Sequence, residues 1–193
     1  MRFMYRVLLV ALVSATWIGC SGSSPAGPSS AGSTLNVMLK DSPFSDAKAL
    51  LVTFTEVSAH VSGAGGFNVL PFAGGGTTRT CDLKKLETAQ DILGTGTLAA
   101  GHYTQVRLVV TSAVLYFDNP SSGAACAPSI AVPAGRSATV NVNSGDVKLN
   151  REFDVTASGA TTILVDFKGD QSIKLEGNGT YSMSPVISVV SVS

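Results

Sequence analysis

Short runs of alternating apolar and polar residues dominate the chain from residue 34 onward. Residues 35–39 alternate in this way, which predicts a strand with one buried face. A longer β-rich run follows at residues 49–61. Its alternation slips near Glu56, so that Phe54 and Val57 both fall on the buried side. One extra residue at that point predicts a β-bulge.

The same pattern continues to the end of the chain. Glycines at 63–66 predict a turn, after which residues 67–72 return as the partner strand of a hairpin. Further strands are predicted from short apolar runs at 103–111, 114–117, 130–132, 139–142, 152–156, 162–167, 173–175 and 181–192. In the first of these, Tyr103 is predicted on the polar face. In the run 162–167, Ile163, Val165 and Phe167 are predicted to face the core. Strands at this spacing, separated by turn residues, predict a sandwich or a barrel.

One segment has helical rather than alternating periodicity. Within residues 82–93 the apolar positions, together with Gln90, fall on one helical face, and Gly94 is a plausible stop. We therefore predict an all-β fold, a β-sandwich with one short helix that covers an edge or an end of a sheet.

The first 19 residues have the features of an export signal. Arg2 and Arg6 precede the apolar run 7–15, which is too short to span a bilayer. The run ends in Trp17-Ile18-Gly19-Cys20, which resembles a bacterial lipobox. We predict a lipoprotein signal peptide at 1–19 and lipidation of Cys20. The alternative is an ordinary signal peptide with an incidental cysteine.

Lipidation would make the membrane the first partner of the chain. Each buried methylene contributes ~0.8 kcal/mol, so one acyl chain binds marginally and several bind permanently. The residue after the cysteine is Ser21 and not Asp. By resemblance to lipoproteins of bacteria with two membranes, in which Asp at this position marks retention in the inner membrane, a serine favours the outer membrane. Residues 20–33 are rich in Ser, Gly and Pro and predict a flexible tether ahead of a domain at 34–193.

The charge balance argues against nucleic acid as a partner. The chain has 13 Lys and Arg and 13 Asp and Glu. Cleavage before Cys20 removes Arg2 and Arg6 but no acid, which leaves 11 against 13 and a net charge of −2. Without a basic stripe, the electrostatic basis of nucleic-acid binding is missing.

Three cysteines are present. With Cys20 lipidated, Cys81 and Cys126 remain, and an even pair in an oxidising compartment predicts a disulfide. The closed loop of about 46 residues would stabilise the fold by roughly 4 kcal/mol. Two free thiols or a metal site are the alternatives, although neither His60 nor His102 has ligand spacing to a cysteine.

Four segments carry a family resemblance: LNVMLKDSP at 35–43, VTFTEVSAHVSG at 52–63, LAAGHYTQVRLVV at 98–110, and LVDFKGDQSIKLEGNGTYSMSPVISV at 164–189. Together they resemble the bacterial domain family DUF4382. The resemblance implies an exported protein, often a lipoprotein, with a sandwich similar to transthyretin-like or carbohydrate-binding modules. The family has no established activity, so the resemblance implies no catalytic residues.

Candidate chemistry is sparse. A serine hydrolase needs Ser, His and an acid within reach, but His60 and His102 are not accompanied by a Gly-x-Ser-x-Gly elbow. Asp166 and Asp170 could act as paired carboxylates or, with Asp41 or Glu176, bind calcium. The alternative interpretation is a turn at 169–170, with Asp166 paired to Lys168 or Lys174.

Sugar binding would require exposed aromatic side chains. The candidates, most of which we expect in the core of a small sandwich, are Phe67, Phe72, Tyr103, Tyr116 and Phe117.

The sequence as a whole favours a non-enzymatic envelope lipoprotein with no cofactor, whose domain binds another envelope protein or stabilises an assembly. A carbohydrate-binding module is the second hypothesis, and a hydrolase is the third.

Overall fold

The computed structural model describes residues 32–42 and 47–193. The predicted signal peptide, Cys20 and residues 20–31 of the predicted tether lie outside the described residues. The first strand begins at Gly32, so Gly32 and Ser33 belong to the folded domain.

Short strands make up most of the described chain, as the alternating pattern predicts. They are β1 (Gly32–Ser42), β2 (Ala49–Val61), β3 (Phe67–Val69), β4 (Arg79–Asp82), β5 (Asp91–Ala99), β6 (Gly101–Tyr116), β7 (Cys126–Ala127), β8 (Ser137–Val142), β9 (Asp146–Val155), β10 (Ala160–Lys168), β11 (Ile173–Leu175), β12 (Tyr181–Met183) and β13 (Ile187–Val192). Two single-turn helices accompany them, α1 (Leu83–Leu86) and α2 (Gly169–Ser172).

The strands form two sheets. The small sheet has the order β13-β10-β1-β5, with β1 and β10 parallel. The large sheet has the order β11-β12-β8-β6-β2-β4-β7, and β3 and β9 add to β2 and β6. Apolar side chains from both sheets form one buried core between them, which confirms the predicted all-β sandwich. Ile163, Val165 and Phe167 are fully buried there, as predicted.

The predicted irregularity in β2 is present. Phe54 and Val57 are both fully buried, while Thr55 between them is exposed. The pairing of β2 with β6 shifts between Phe54 and Glu56, which places Thr55 in a bulge. The bulge allows two core residues an odd number of positions apart to face the same side.

The prediction for Tyr103 is wrong. The pairing of β6 with β2 passes from Gln105 opposite His60 to Tyr103 opposite Val61, so Thr104 is bulged and Tyr103 turns into the core. Its ring stacks on Phe153 at 5.3 Å, and its hydroxyl donates to the carbonyl of Ala99 at 3.0 Å. Burial raises the pKa of this hydroxyl.

The predicted helix at 82–93 is also wrong beyond its first turn. Asp82 caps α1, which ends at Leu86, and residues 91–99 form β5 against β1. Gly94 is not a helix stop. It lies within β5, where an added Cβ would come within 3.2 Å of the Val57 side chain. Ladder bonds with β1 replace the helical bonds that residues 91–93 would make.

Three strand predictions need smaller corrections. Residues 130–132 form no strand. Residues 114–116 are not a separate strand but the last residues of β6. The run 181–192 is divided around Pro185 into β12 in the large sheet and β13 in the small sheet. Proline cannot donate to a ladder, so the chain changes sheets there.

Candidate functional site

The upper half of the large sheet presents an ordered polar surface away from the core. Here β3, β2, β6 and β9 lie side by side, and directly opposed residues point to the same side. We call this surface the outer face. Two rows of directly opposed residues form it: Phe67–His60–Gln105–Asn150 and Val69–Ser58–Arg107–Lys148. Glu56 and Asp146 border it next to the second row.

Arg107 is the centre of the outer face. Its guanidinium lies 4.5 Å from the centroid of the Phe67 ring and donates from Nε to Glu56 Oε1 at 3.1 Å. Asp146 lies 4.0 Å from the same group. Ser58, fully buried beneath this cluster, donates to Glu56 Oε1 at 2.6 Å. The arginine and the aromatic ring are therefore held in fixed positions.

The electrostatics of Glu56 follow from these contacts. Partial burial disfavours the ionised carboxylate, but the hydrogen bonds from Ser58 and Arg107 and the attraction of the guanidinium outweigh burial and lower the pKa of Glu56. The carboxylate is therefore ionised at neutral pH and paired with Arg107.

The remaining side chains of the outer face are also held in place. His60 Nε2 lies 3.0 Å from the Ala64 carbonyl and donates to it, which leaves Nδ1 to accept from the Thr104 hydroxyl at 3.2 Å. Gln105 Nε2 donates to Asn150 Oδ1 at 2.7 Å. Both nitrogens of His60 are engaged, so the ring is positioned as a fixed polar surface group rather than as a general base.

The second histidine contacts an acid. His102 Nδ1 lies 2.9 Å from Asp154 Oδ1 across β6 and β9, and both side chains are exposed. Among the described residues no serine hydroxyl is bonded to either imidazole, so the arrangement that a serine hydrolase needs is not assembled there.

The three candidate ion ligands are placed apart. Asp41 is opposite Phe167 in the β1–β10 pair and faces the core side, where its Oδ1 accepts from the backbone of Gly169 at 3.1 Å. Asp166 is opposite Lys40, on the other side of the sheet, and pairs with it at 3.9 Å. Asp170 is exposed on α2.

Because neighbouring positions on a strand face opposite sides, this register separates Asp41 from Asp166. The described part of the chain holds no group of three His, Cys, Asp or Glu side chains that could bind a metal.

The two cysteines predicted to pair are opposed in β4 and β7. The Sγ atoms of Cys81 and Cys126 lie 2.04 Å apart, at disulfide distance, and both residues are buried. The backbone of Cys126 also donates to Asp91 Oδ2 at 3.0 Å.

A buried carboxylate supports the same region, and sequence reasoning missed it. Asp82 is fully buried; its Oδ1 accepts from the backbones of Leu50 and Lys84, each at 3.1 Å, and its Oδ2 accepts from Ser121 Oγ at 2.6 Å. An aspartate just before an apolar run is an N-cap signal. The bonds to Leu50 and Ser121 come from distant parts of the chain, which no local pattern indicates.

The aromatic candidates divide into two groups. Phe72 and Tyr103 are buried in the sandwich core, as expected. Tyr116 is also buried, but in a separate cluster with Ala49 and Leu51. Phe67 and Phe117 are half-buried, and Phe67 is the one that lies on the outer face.

Two concave sites on the described surface are open depressions. One of about 490 Å³ is lined by Lys40, Asp41 and residues 86–90, and one of about 340 Å³ lies between β9 and β13.

Neither helix of the described residues is long and apolar enough to cross a membrane.

These observations define the class of the protein: an all-β sandwich domain with an ordered polar and aromatic surface on its large sheet. Residues 32–185 match the model of the family described as a domain of unknown function, DUF4382. The chain belongs to this family. No curated protein and no solved structure matches it. The similarity to transthyretin-like or carbohydrate-binding sandwiches therefore stays a prediction.

Proposed function

We propose that the protein is a non-enzymatic lipoprotein of the bacterial envelope, anchored in the outer membrane through Cys20, whose sandwich binds another envelope protein through the outer face. The observation that carries the proposal is the fixed position of Phe67 and Arg107 on that face. Neither is needed to complete the core, yet Glu56, which itself accepts a bond from the buried Ser58, holds the arginine in place.

Rigid surface arginines and aromatic rings are well suited to protein recognition. Both residue types are enriched at the energetic centres of interfaces. Side chains that are already ordered lose less conformational entropy when a partner binds. The pairing of Arg107 with Phe67 and Glu56 provides this order before binding.

The anchor has its own test. We expect globomycin to leave the precursor with its apolar leader uncleaved, and Cys20→Ala to prevent both lipidation and cleavage before residue 20. In both cases the protein should be lost from the outer-membrane fraction. Ser21→Ala, next to the lipidated position, is the matched control and should leave partition unchanged. Unaltered processing and partition in the Cys20→Ala variant would rule out the anchor.

The binding surface is tested by crosslinking intact envelopes and recovering the protein with its partners. We expect Arg107→Ala and Phe67→Ala each to lose a crosslinked partner that the native protein retains. Lys174→Ala, an exposed lysine on β11, is the control. An unchanged set of partners in the two outer-face variants would refute the assignment of this surface.

A carbohydrate-binding module is the second candidate, and one observation favours it. The Gln105–Asn150 amide pair lies on the same row as Phe67, so hydrogen-bonding groups accompany an aromatic ring. Arg107 covers one side of that ring, however, and a sugar would have to displace it to stack there. A glycan array probed with the protein decides between the candidates: binding that Gln105→Ala abolishes would favour the sugar.

A further inference from the structure

The open side of the sandwich lies between two edge strands. In the described residues β9 pairs only with β6, and β13 pairs only with β10. The depression between them, which we call the edge groove, has a volume of about 340 Å³ and is lined by Lys148, Leu149, Asn150, Arg151, Ile187, Ser188 and Val189.

The backbone of β13 has hydrogen-bonding groups that β10 does not use. Thr162 and Ser193 exchange two bonds, of 2.6 and 2.9 Å, and the Lys168 nitrogen donates to the Val186 carbonyl at 2.9 Å. In an antiparallel ladder such pairs alternate with pairs whose N–H and C=O groups point away from the partner strand. The register places three residues at those alternate positions, with backbone groups that point away from β10: Ile187, Val189 and Val192. The first two of them line the groove.

The side chains of β13 do not protect this edge. The strand, Ile187–Val192, consists of serine, valine and isoleucine without any charge. Exposed edges are usually protected by charged residues, by proline or by bulges. The pairing with β10 is irregular at Val190, yet outward-pointing backbone groups remain on both sides of this position.

The opposite rim of the groove is positively charged. Lys148 and Arg151 on β9 are exposed, and neither forms an ion pair with a described residue. No carboxylate lines the groove. An occupant with acidic side chains would therefore be electrostatically complementary to it.

We propose that the edge groove binds an extended segment of a partner protein, which adds to β13 as a further strand and directs acidic side chains toward Lys148 and Arg151. Backbone bonds to the edge would supply affinity, and the charges would supply specificity. A second copy of the chain fits less well, since its own β13 carries no carboxylate. The edge groove adjoins the outer face and shares Lys148 and Asn150 with it. The inference does not depend on Phe67 or Arg107, which carry the proposal for the outer face.

The test uses the full chain in detergent micelles and two synthetic peptides, one alternating valine with glutamate and one alternating valine with lysine. We expect the glutamate peptide to slow amide hydrogen exchange at Ile187, Val189 and Val192, measured by NMR. The lysine peptide should not do so.

A charge-reversed variant tests the rim. Lys148→Glu combined with Arg151→Glu should weaken binding of the glutamate peptide by about tenfold, the effect of losing two exposed ion pairs. Lys48→Glu combined with Lys174→Glu makes the same change in net charge at exposed positions elsewhere and should leave binding unchanged.

Four results would overturn the proposal. They are no added protection at about 1 mM glutamate peptide, protection confined to other strands, equal weakening in the control variant, and protection of β13 that rises with protein concentration in the absence of peptide. The last would identify a second copy of the chain as the occupant.

Discussion

Removing the cross-link between Cys81 and Cys126 should lower stability while the native fold persists. The bond joins residues 45 positions apart, and the closed loop contains α1, β5 and all of β6. In the chain-entropy model a loop of this length restricts the unfolded chain by roughly 4 kcal/mol. For a domain of this size that corresponds to a fall in Tm of about 10 °C.

The native fold should persist because other contacts hold both ends of the cross-link. Asp91 accepts from the backbone of Cys126, and Asp82 accepts from Ser121 in the segment that leads to it. We therefore expect the variant Cys81→Ser, Cys126→Ser to keep the circular dichroism spectrum of a β protein and to lose only stability.

The assay is thermal and urea unfolding of the native protein and the double-serine variant, each with and without a reducing agent. Reductant should destabilise the native protein alone, because the variant has no bond to lose. A difference below about 1 kcal/mol, well under the value expected for this loop, would refute the reasoning. Equal sensitivity of both proteins to the reductant would also refute it.

Three further predictions concern single side chains. Asp82→Ala should cost about 3–5 kcal/mol in urea unfolding, because it leaves buried donors without an acceptor, whereas Asp82→Asn should cost less. Gly96→Ala should cost about 1–3 kcal/mol, since its Cβ would lie 2.9 Å from Pro71 Cδ. The lowered pKa of Glu56 contributes stability above the pKa of an unfolded glutamate, and this contribution is lost as pH falls through the folded pKa. Glu56→Gln should flatten that part of the acid unfolding curve, and an unchanged curve would contradict the assignment.

Local alternation predicts which segments are strands but not which strands are neighbours. The central strands of the small sheet, β1 and β10, pair in parallel although residues 34 and 160 are far apart in sequence. The same limit applies to the outer face, because its rows exist only when β2, β3, β6 and β9 are in register. Sequence reasoning named Phe67 and His60 separately and had no means of placing Arg107 between them and Glu56.

The failed helix has a different physical origin. Leu83, Leu86 and Leu93 are all buried, as their helical spacing predicts, but they do not lie on one helix. The first two belong to α1, and Leu93 belongs to β5. Burial alone therefore did not distinguish the two structures. The β-branched residues after Leu93 and the close packing of Gly94 and Gly96 under Leu70 and Pro71 decide for the strand.

The central irregularity of the large sheet shows how two local signals become one when strands pair. On β2 the buried positions shift from even-numbered to odd-numbered residues between Phe54 and Val57. On β6 a shift of the same kind occurs between Val110 and Ala113. The two slips face each other, because Phe54 pairs with Val110 and the register on either side is the same. In a single strand, such a shift indicates either a bulge or the end of the strand. The shift between Val110 and Ala113 therefore led to the prediction of two strands, at 103–111 and 114–117, where β6 is continuous. Opposed slips in paired strands instead indicate one distortion crossing the sheet. This distortion separates the polar outer face above it from the apolar cluster of Ala49, Leu51 and Tyr116 below it.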